Sequence, residues 1–205
     1  MTFILGLTGS IGMGKSATAN AFRRLGVPVH DADAAVHALY RGRAVPLIEQ
    51  AFPGTVTDGV VDRARLGAAV FNDSARMKQL EAIVHPLVWQ EEEAFLDHVT
   101  ALASVAVLDI PLLFETGAEK RCDAVLVVTA PAPIQRERVL RRPGMTEEKF
   151  AAILDKQMPD AEKRVRSHFL VDTSRDFASA EEQVRSILAC LAARPGRVRR
   201  RVNKL

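Results

Sequence analysis

The chain has 205 residues, 48% hydrophobic and 26% charged, with mean hydropathy +0.02; this suits one α/β domain with a sizeable core. No apolar run approaches the ~20 residues that a membrane span needs, so a membrane partner is not expected. The net charge of +3 resides in the tail RPGRVRRRVNKL (194–205), whose six cations leave the rest at −3; with no aromatic among the arginines it reads as a solvated end, not a nucleic-acid-binding arm.

The N-terminus, MTFILGLTGS, has no basic leader and runs straight into a glycine-rich loop, which argues against a signal peptide. Phe3–Leu7 is the first of five short apolar runs with the character of buried parallel strands. The others are Val27–Val29, Val105–Leu108, Ala124–Val128 and Phe169–Val171. Residues 9–16, GSIGMGKS, match G-x-x-x-x-G-K-[ST] between a strand and a helix. In such a loop Gly9, Gly12 and Gly14 let the backbone fold tightly, so that the N–H groups of Ile11, Met13 and Ala17 face phosphate oxygens together with those of the glycines. Lys15 reaches the β- and γ-phosphates, and the Ser16 hydroxyl is the candidate ligand for Mg²⁺. A helix over Ser16–Leu25 stops at Gly26.

HDADAAVH (30–37) follows the second run. Asp31 and Asp33 then stand at the carboxyl edge of the sheet, where open α/β folds bind ligands. One of them suffices to cap the helix running to Tyr40; a carboxylate there can also take a hydroxyl proton. Residues 34–100 show no confident core strand and read mainly as helices, including Ser74–Val84 and Val88–Val99 with Pro86 breaking the run between them. The strand VAVLD leads into Pro111, Leu112, Leu113, Phe114 and Glu115, which offer either an apolar wall with one carboxylate or a packed loop. Residues 134–166 are dense in cations and have the composition of a mobile lid over phosphates. Ser179 and Glu182 have the spacing of a capping box for the last helix. Cys122 and Cys190 lie far apart, which predicts free thiols in a reducing compartment.

Strand–helix alternation predicts an α/β fold with the P-loop NTPase plan: a five-stranded, mostly parallel sheet with helices on both faces, a helical insert and a helical lid. No D-x-x-G or usable N-K-x-D motif is present, which excludes a GTPase switch. A single acid, Asp109, closes VAVLD, which disfavours a motor ATPase. A small-molecule kinase remains.

Several ordered motifs carry a family resemblance: GLTGSIGMGKS (6–16), LGVPVHDAD (25–33), His85-Pro86, DIPLLFE (109–115), Gln135 through Arg142, and QMPDAEK (157–163). Together they resemble the dephospho-coenzyme A kinases nearly end to end. That resemblance implies a cytoplasmic enzyme that uses ATP and Mg²⁺ to phosphorylate the ribose 3′-hydroxyl of dephospho-CoA; the sequence leaves the oligomeric state open, with a monomer favoured. It implies a nucleotide core (about 1–33, 101–135 and 163–193), a CoA-binding part (34–100) and a lid (136–162). It also implies that Asp33 is the general base, with Lys15 and Arg138 in catalysis and Arg142 near the adenine. Asp31, His85, Pro111, Leu112, Leu113 and Glu115 are implied on the acceptor side. Two positions depart from the family pattern: Pro143 where the lid usually has Asp, and Thr173 where Asn is common.

Overall fold

The computed structural model describes residues 2–71, 73–192, 194 and 196. The arginines and lysine of the predicted tail beyond Arg194 lie outside the described residues. In chain order the elements are β1 (Phe3–Thr8), α1 (Lys15–Arg24), β2 (Val29–Asp31), α2 (Ala32–Leu39), α3 (Val45–Ala51), β3 (Val56–Thr57), β4 (Val60–Val61), α4 (Arg63–Val70) and α5 (Ser74–Val99). They continue with β5 (Val105–Asp109), a 3₁₀ turn (Ala118–Arg121), β6 (Ala124–Thr129), α6 (Ala132–Leu140), α7 (Glu147–Leu154), α8 (Asp160–Arg166), β7 (Phe169–Asp172) and α9 (Phe177–Leu191). Two compact units result, one drawn from Met1–His30 and Val99–Leu205, the other from Asp31–His98.

The first unit is built on a five-stranded sheet in the order β2-β5-β1-β6-β7. All five apolar runs are strands of it, β2 lying two residues later than expected. β1 pairs in parallel with β5, from Phe3 opposite Val105 to Leu7 opposite Asp109, and with β6, from Leu5 opposite Ala124 to Thr8 opposite Val127. β6 pairs in parallel with β7. A strand with covered neighbours on both sides and both faces has no polar face to show, which is why β1 reads as an unbroken apolar run. Leu5 and Leu7 point into a core shared with Phe22 of α1 and with Val184 and Leu191 of α9. Phe22, fully buried, contributes about 1.5–3 kcal/mol. Gly6 faces the other way, where a Cβ would come within 2.8 Å of Cys122 Sγ. Cys122 and Cys190 are both free thiols, the first half-buried and the second exposed.

Helix ends follow local chemistry. The α1 terminus closes as anticipated: Gly26 has φ 77°, its N–H reaches Arg23 C=O, and Val27 N–H reaches back to Phe22 C=O. At α9 the expected capping box gives way to Asp176, whose side chain accepts from Ser179 N–H at 2.8 Å. Ser179 is thus inside the first turn. Asp and Ser are near-equal caps, and the choice falls to Asp176, which has the extended backbone that a cap requires.

The second unit has its own core, in which Leu39, Ile48, Phe52, Val61, Leu66, Val70 and Val84 meet. The predicted break at Pro86 does not occur: α5 runs unbroken through it. Leu80, Ile83, Val84, Leu87 and Val88 recur at helical spacing on either side of the proline and pack into this core, while Pro86 itself is exposed. Packing of that face outweighs the lost backbone hydrogen bond. A feature that helix patterning overlooked is the β3–β4 hairpin, turned by Asp58 (φ 51°) and Gly59 (φ 75°). Two successive left-handed residues are the signature of a tight hairpin turn, and Asp-Gly was its sequence signal.

Candidate active site

β1 ends beside β5, so the loop that leaves it starts next to Asp109. Residues 9–14 then turn back into α1. Gly12 (φ 80°) and Gly14 (φ 91°) occupy the left-handed region that other residues avoid. Neither has room for a side chain. A Cβ on Gly12 would lie 2.5 Å from Val139 Cγ2 of α6, and one on Gly14 would meet the Thr173 side chain at 3.0 Å. The first α1 bond runs from Thr18 N–H to Gly14 C=O at 3.1 Å. The amides from Lys15 to Ala17 precede it and have no partner within the helix. No acidic residue stands in this first turn, so the positive end of α1 is left for an anion.

Lys15 Nζ is 2.6 Å from Asp109 Oδ1, with the lysine 16% and the aspartate 3% exposed in their side chains. The phosphate-loop cation is therefore held at the carboxyl end of β5. Ser16 is exposed at the start of α1. Met13 is buried and locked from three directions: its N–H donates to Ser10 C=O, its sulfur accepts from Ala130 N–H at 3.1 Å, and its carbonyl accepts from Thr173 Oγ1 at 2.8 Å. Ile11 is held by two glutamines. Gln135 Nε2 donates to its carbonyl at 2.8 Å, and Gln157 Oε1 accepts from its N–H at 3.1 Å.

The arginines of α6 and of the two residues after it sort by partner. Arg136 pairs with Glu147, and Arg141 with Glu137 at 2.6 Å; all four are exposed. Arg138 points inward, with Nη1 on Thr173 Oγ1 at 2.9 Å and Nη2 on Thr173 C=O at 2.6 Å. Arg142 is exposed and makes no side-chain hydrogen bond or ion pair among the described residues. Thr173, the departure noted in the sequence, thus bridges Arg138 and the phosphate loop through one hydroxyl.

The DIPLLFE segment departs from an open wall. Leu113 is fully buried and Phe114 nearly so; Leu112 is the exposed one, at 39%. Leu113 packs at Gly6, where the missing side chain leaves space for it. Pro111 C=O accepts from Thr8 Oγ1 at 2.9 Å. Glu115, expected to face substrate, accepts from Met158 N–H at 2.8 Å and lies 2.9 Å from Lys163 Nζ, which is fully buried. A charge that deep requires a partner.

In the second unit Asp31 caps α2, accepting from Ala34 N–H at 2.9 Å. Asp33, in the first turn of the same helix, is exposed, and its side chain makes no hydrogen bond or ion pair among the described residues. His85 is exposed on α5. Sequence reasoning did not assign site roles to Gln135, Gln157, Lys163 or Thr173. All except Thr173 lie inside motifs of the resemblance, which was their only signal.

The dephospho-CoA kinase family model matches residues 3–179. The chain belongs to the dephospho-CoA kinase family. A dephospho-CoA kinase from Mesorhizobium japonicum is 61% identical over 94% of this chain and 98% of its own length. The crystal structure of TT1252 from Thermus thermophilus superposes with a TM-score of 0.83 at 37% identity, covering 93% of this chain and 98% of that one. A dephospho-CoA kinase structure from Campylobacter jejuni gives 0.71 at 25% identity, over 92% and 96%. As a family member the chain is a P-loop kinase of the final step of CoA biosynthesis, with ATP as donor. No helix among the described residues is long and apolar enough to cross a membrane.

Proposed function

We propose that the chain moves the γ-phosphoryl group of ATP to the ribose 3′-hydroxyl of dephospho-CoA, with Asp33 as the general base. The bond from γ-phosphorus to the β–γ bridging oxygen breaks, a bond from the 3′-oxygen to that phosphorus forms, ADP leaves, and the hydroxyl proton passes to the Asp33 carboxylate. The observation that carries the base assignment is the division of labour in D-A-D: Asp31 is spent on the α2 cap, while the Asp33 carboxylate has no bond to lose.

On the donor side, Lys15 and the amides of the phosphate loop hold the triphosphate. Ser16 is exposed with its hydroxyl free of hydrogen bonds among the described residues, and Asp109 stands beside Lys15; hard oxygen donors of this kind fit Mg²⁺. Among the described residues no group of three or more His, Cys, Asp or Glu could hold a metal by itself. The fitting arrangement is one shared with nucleotide phosphates, where Mg²⁺ would neutralise phosphate charge. Arg138 of α6 and Arg142 just beyond its end are not neutralised by a neighbouring carboxylate, which suits them to a developing phosphoryl charge and to the adenine respectively. Residues 136–162 act as the lid that excludes water, and 34–100 as the CoA-binding part, with His85, Pro111 and Leu112 toward the acceptor. The compartment is the cytoplasm.

Mass spectrometry of dephospho-CoA incubated with the protein and Mg-ATP should show a gain of one phosphate on the 3′-oxygen; phosphate elsewhere, or none, refutes the acceptor. Asp33→Asn should lower kcat by about 10²-fold or more, the scale of a lost general base, with ATP affinity little changed. Near-normal turnover in that variant would remove Asp33 from the role.

A further inference from the structure

Ile11 is held by side chains at both of its backbone groups. Gln135 lies on the inner side of α6, 6% exposed, and its Nε2 donates to Ile11 C=O at 2.8 Å. Gln157 follows α7, and its Oε1 accepts from Ile11 N–H at 3.1 Å. The two glutamines use opposite ends of the same functional group, one as donor and one as acceptor. They flank α7, so the chain that leaves the loop's side through α6 returns to the same residue after α7. Its return is fixed again one residue later, where Met158 N–H donates to Glu115. At the first foot α6 packs close against the loop, with Gln135 C=O only 3.0 Å from the position a Gly12 Cβ would take.

We propose that Gln135 and Gln157 are a pair of positioning residues that set the phosphate loop for ATP, by holding the two peptide planes that meet at Ile11. A loop whose amides must face phosphate oxygens gains its catalytic value from being preorganised. Fixing both planes at Ile11 removes the torsions through which residues 10–12 would otherwise wander. It also ties the loop to the residue just before the proposed lid and to the lid's returning stretch. The proposal rests on reading residues 9–16 as the phosphate site.

The test combines kinetics with hydrogen exchange on the nucleotide-free protein. Gln135→Met and Gln157→Met remove the hydrogen bonds at nearly constant volume. Each should lower kcat/KM for ATP by ~10-fold or more, the scale of a small misplacement at a reacting centre, with KM for dephospho-CoA unchanged. The double variant should lose about as much as either single, because both hold one residue. Gln157→Glu keeps an acceptor for Ile11 N–H, whereas Gln135→Glu sets a carboxylate against Ile11 C=O. Both add the same charge beside the same residue, so a clearly larger loss for Gln135→Glu reads the polarity of the clamp. In the absence of nucleotide, amides of residues 9–13 should exchange faster in Gln157→Met while β1 and β6 keep their protection. Multiplicative losses, equal losses for the two glutamates, singles within twofold of wild type, or unchanged loop exchange would each overturn the proposal. The exchange measurement needs no turnover, so an unchanged loop in an active kinase defeats the clamp alone. A wild-type protein without turnover defeats the kinase reading alone.

Discussion

Thr173→Val separates the hydroxyl of Thr173 from its shape. The side chain is almost fully buried and packs against Gly14, a contact that valine preserves. The hydroxyl's bonds are lost: one proton donated to Met13 C=O at 2.8 Å and shared weakly with Thr129 C=O at 3.4 Å, and the acceptance from Arg138 at 2.9 Å. A neutral bond contributes about 1 kcal/mol net and one to a charged group about 1.5–3 kcal/mol. Arg138 keeps its 2.6 Å bond to the Thr173 carbonyl, so the lower end of the charged range applies. The expected loss is about 2–3 kcal/mol. For a chain of this size that lowers the melting midpoint by roughly 4–12 °C. Circular dichroism melts of wild type, Thr173→Val and Thr173→Ser measure it, since serine restores the hydroxyl and should recover most of the loss. Because the bonded carbonyl belongs to the phosphate loop, KM for ATP should rise several-fold in the valine variant and much less in the serine variant. A valine variant melting within 1 °C of wild type, or a serine variant falling as far, would refute the reasoning.

Lys15→Ala should cost kcat about 10²-fold or more and also lower stability by up to about 3 kcal/mol, because it removes the cation beside the buried Asp109. Adding Asp109→Asn should restore the melting temperature but not turnover; restored turnover would take Lys15 away from the phosphates. Pro86→Ala should stabilise the Asp31–His98 unit by about 1 kcal/mol or more in urea titration, since alanine returns an N–H to α5. No gain would show that the helix bears the proline without cost. Burial pushes the Tyr40 phenol above its ordinary 10.0, with nearby Arg63 opposing less strongly. A raised folded-state value means that this stability is fully present below the unfolded pKa and is lost as pH rises through the folded one. Denaturation between about pH 9 and 12 should therefore show an alkaline decline that Tyr40→Phe removes.

The sheet was legible because buried parallel strands write themselves as continuous apolar runs; VAVLD and AVLVV admit little else. The phosphate loop was legible because its glycines are demanded by geometry, as Gly12 against Val139 illustrates. Pro86 misled because local propensity was weighed without the core that α5 joins. The β3–β4 hairpin was passed over because two strands of two residues each leave almost no periodicity. Asp176 and Ser179 were both acceptable caps, and the sequence has no means of ranking near-equals three residues apart. The partners of Glu115, Lys163 and Thr173 are set by contacts across long stretches of chain. Lys163 in particular is of a residue type that is almost always solvated, so its burial follows only once Glu115 is seen beside it.

The strand order β2-β5-β1-β6-β7 also dictates a timetable for synthesis. β1 is the central strand, yet its neighbours lie roughly a hundred residues downstream, an extreme of non-local pairing. On the ribosome the phosphate-loop strand must wait, unpaired, until β5 and β6 have emerged. The Asp31–His98 unit has a hydrophobic core of its own, and such units generally fold as they emerge. The oldest part of the nascent chain is thus among the last to be completed. A slowly translated or truncated message would leave an apolar FILGLT segment exposed, making β1 the stretch most dependent on protection before release.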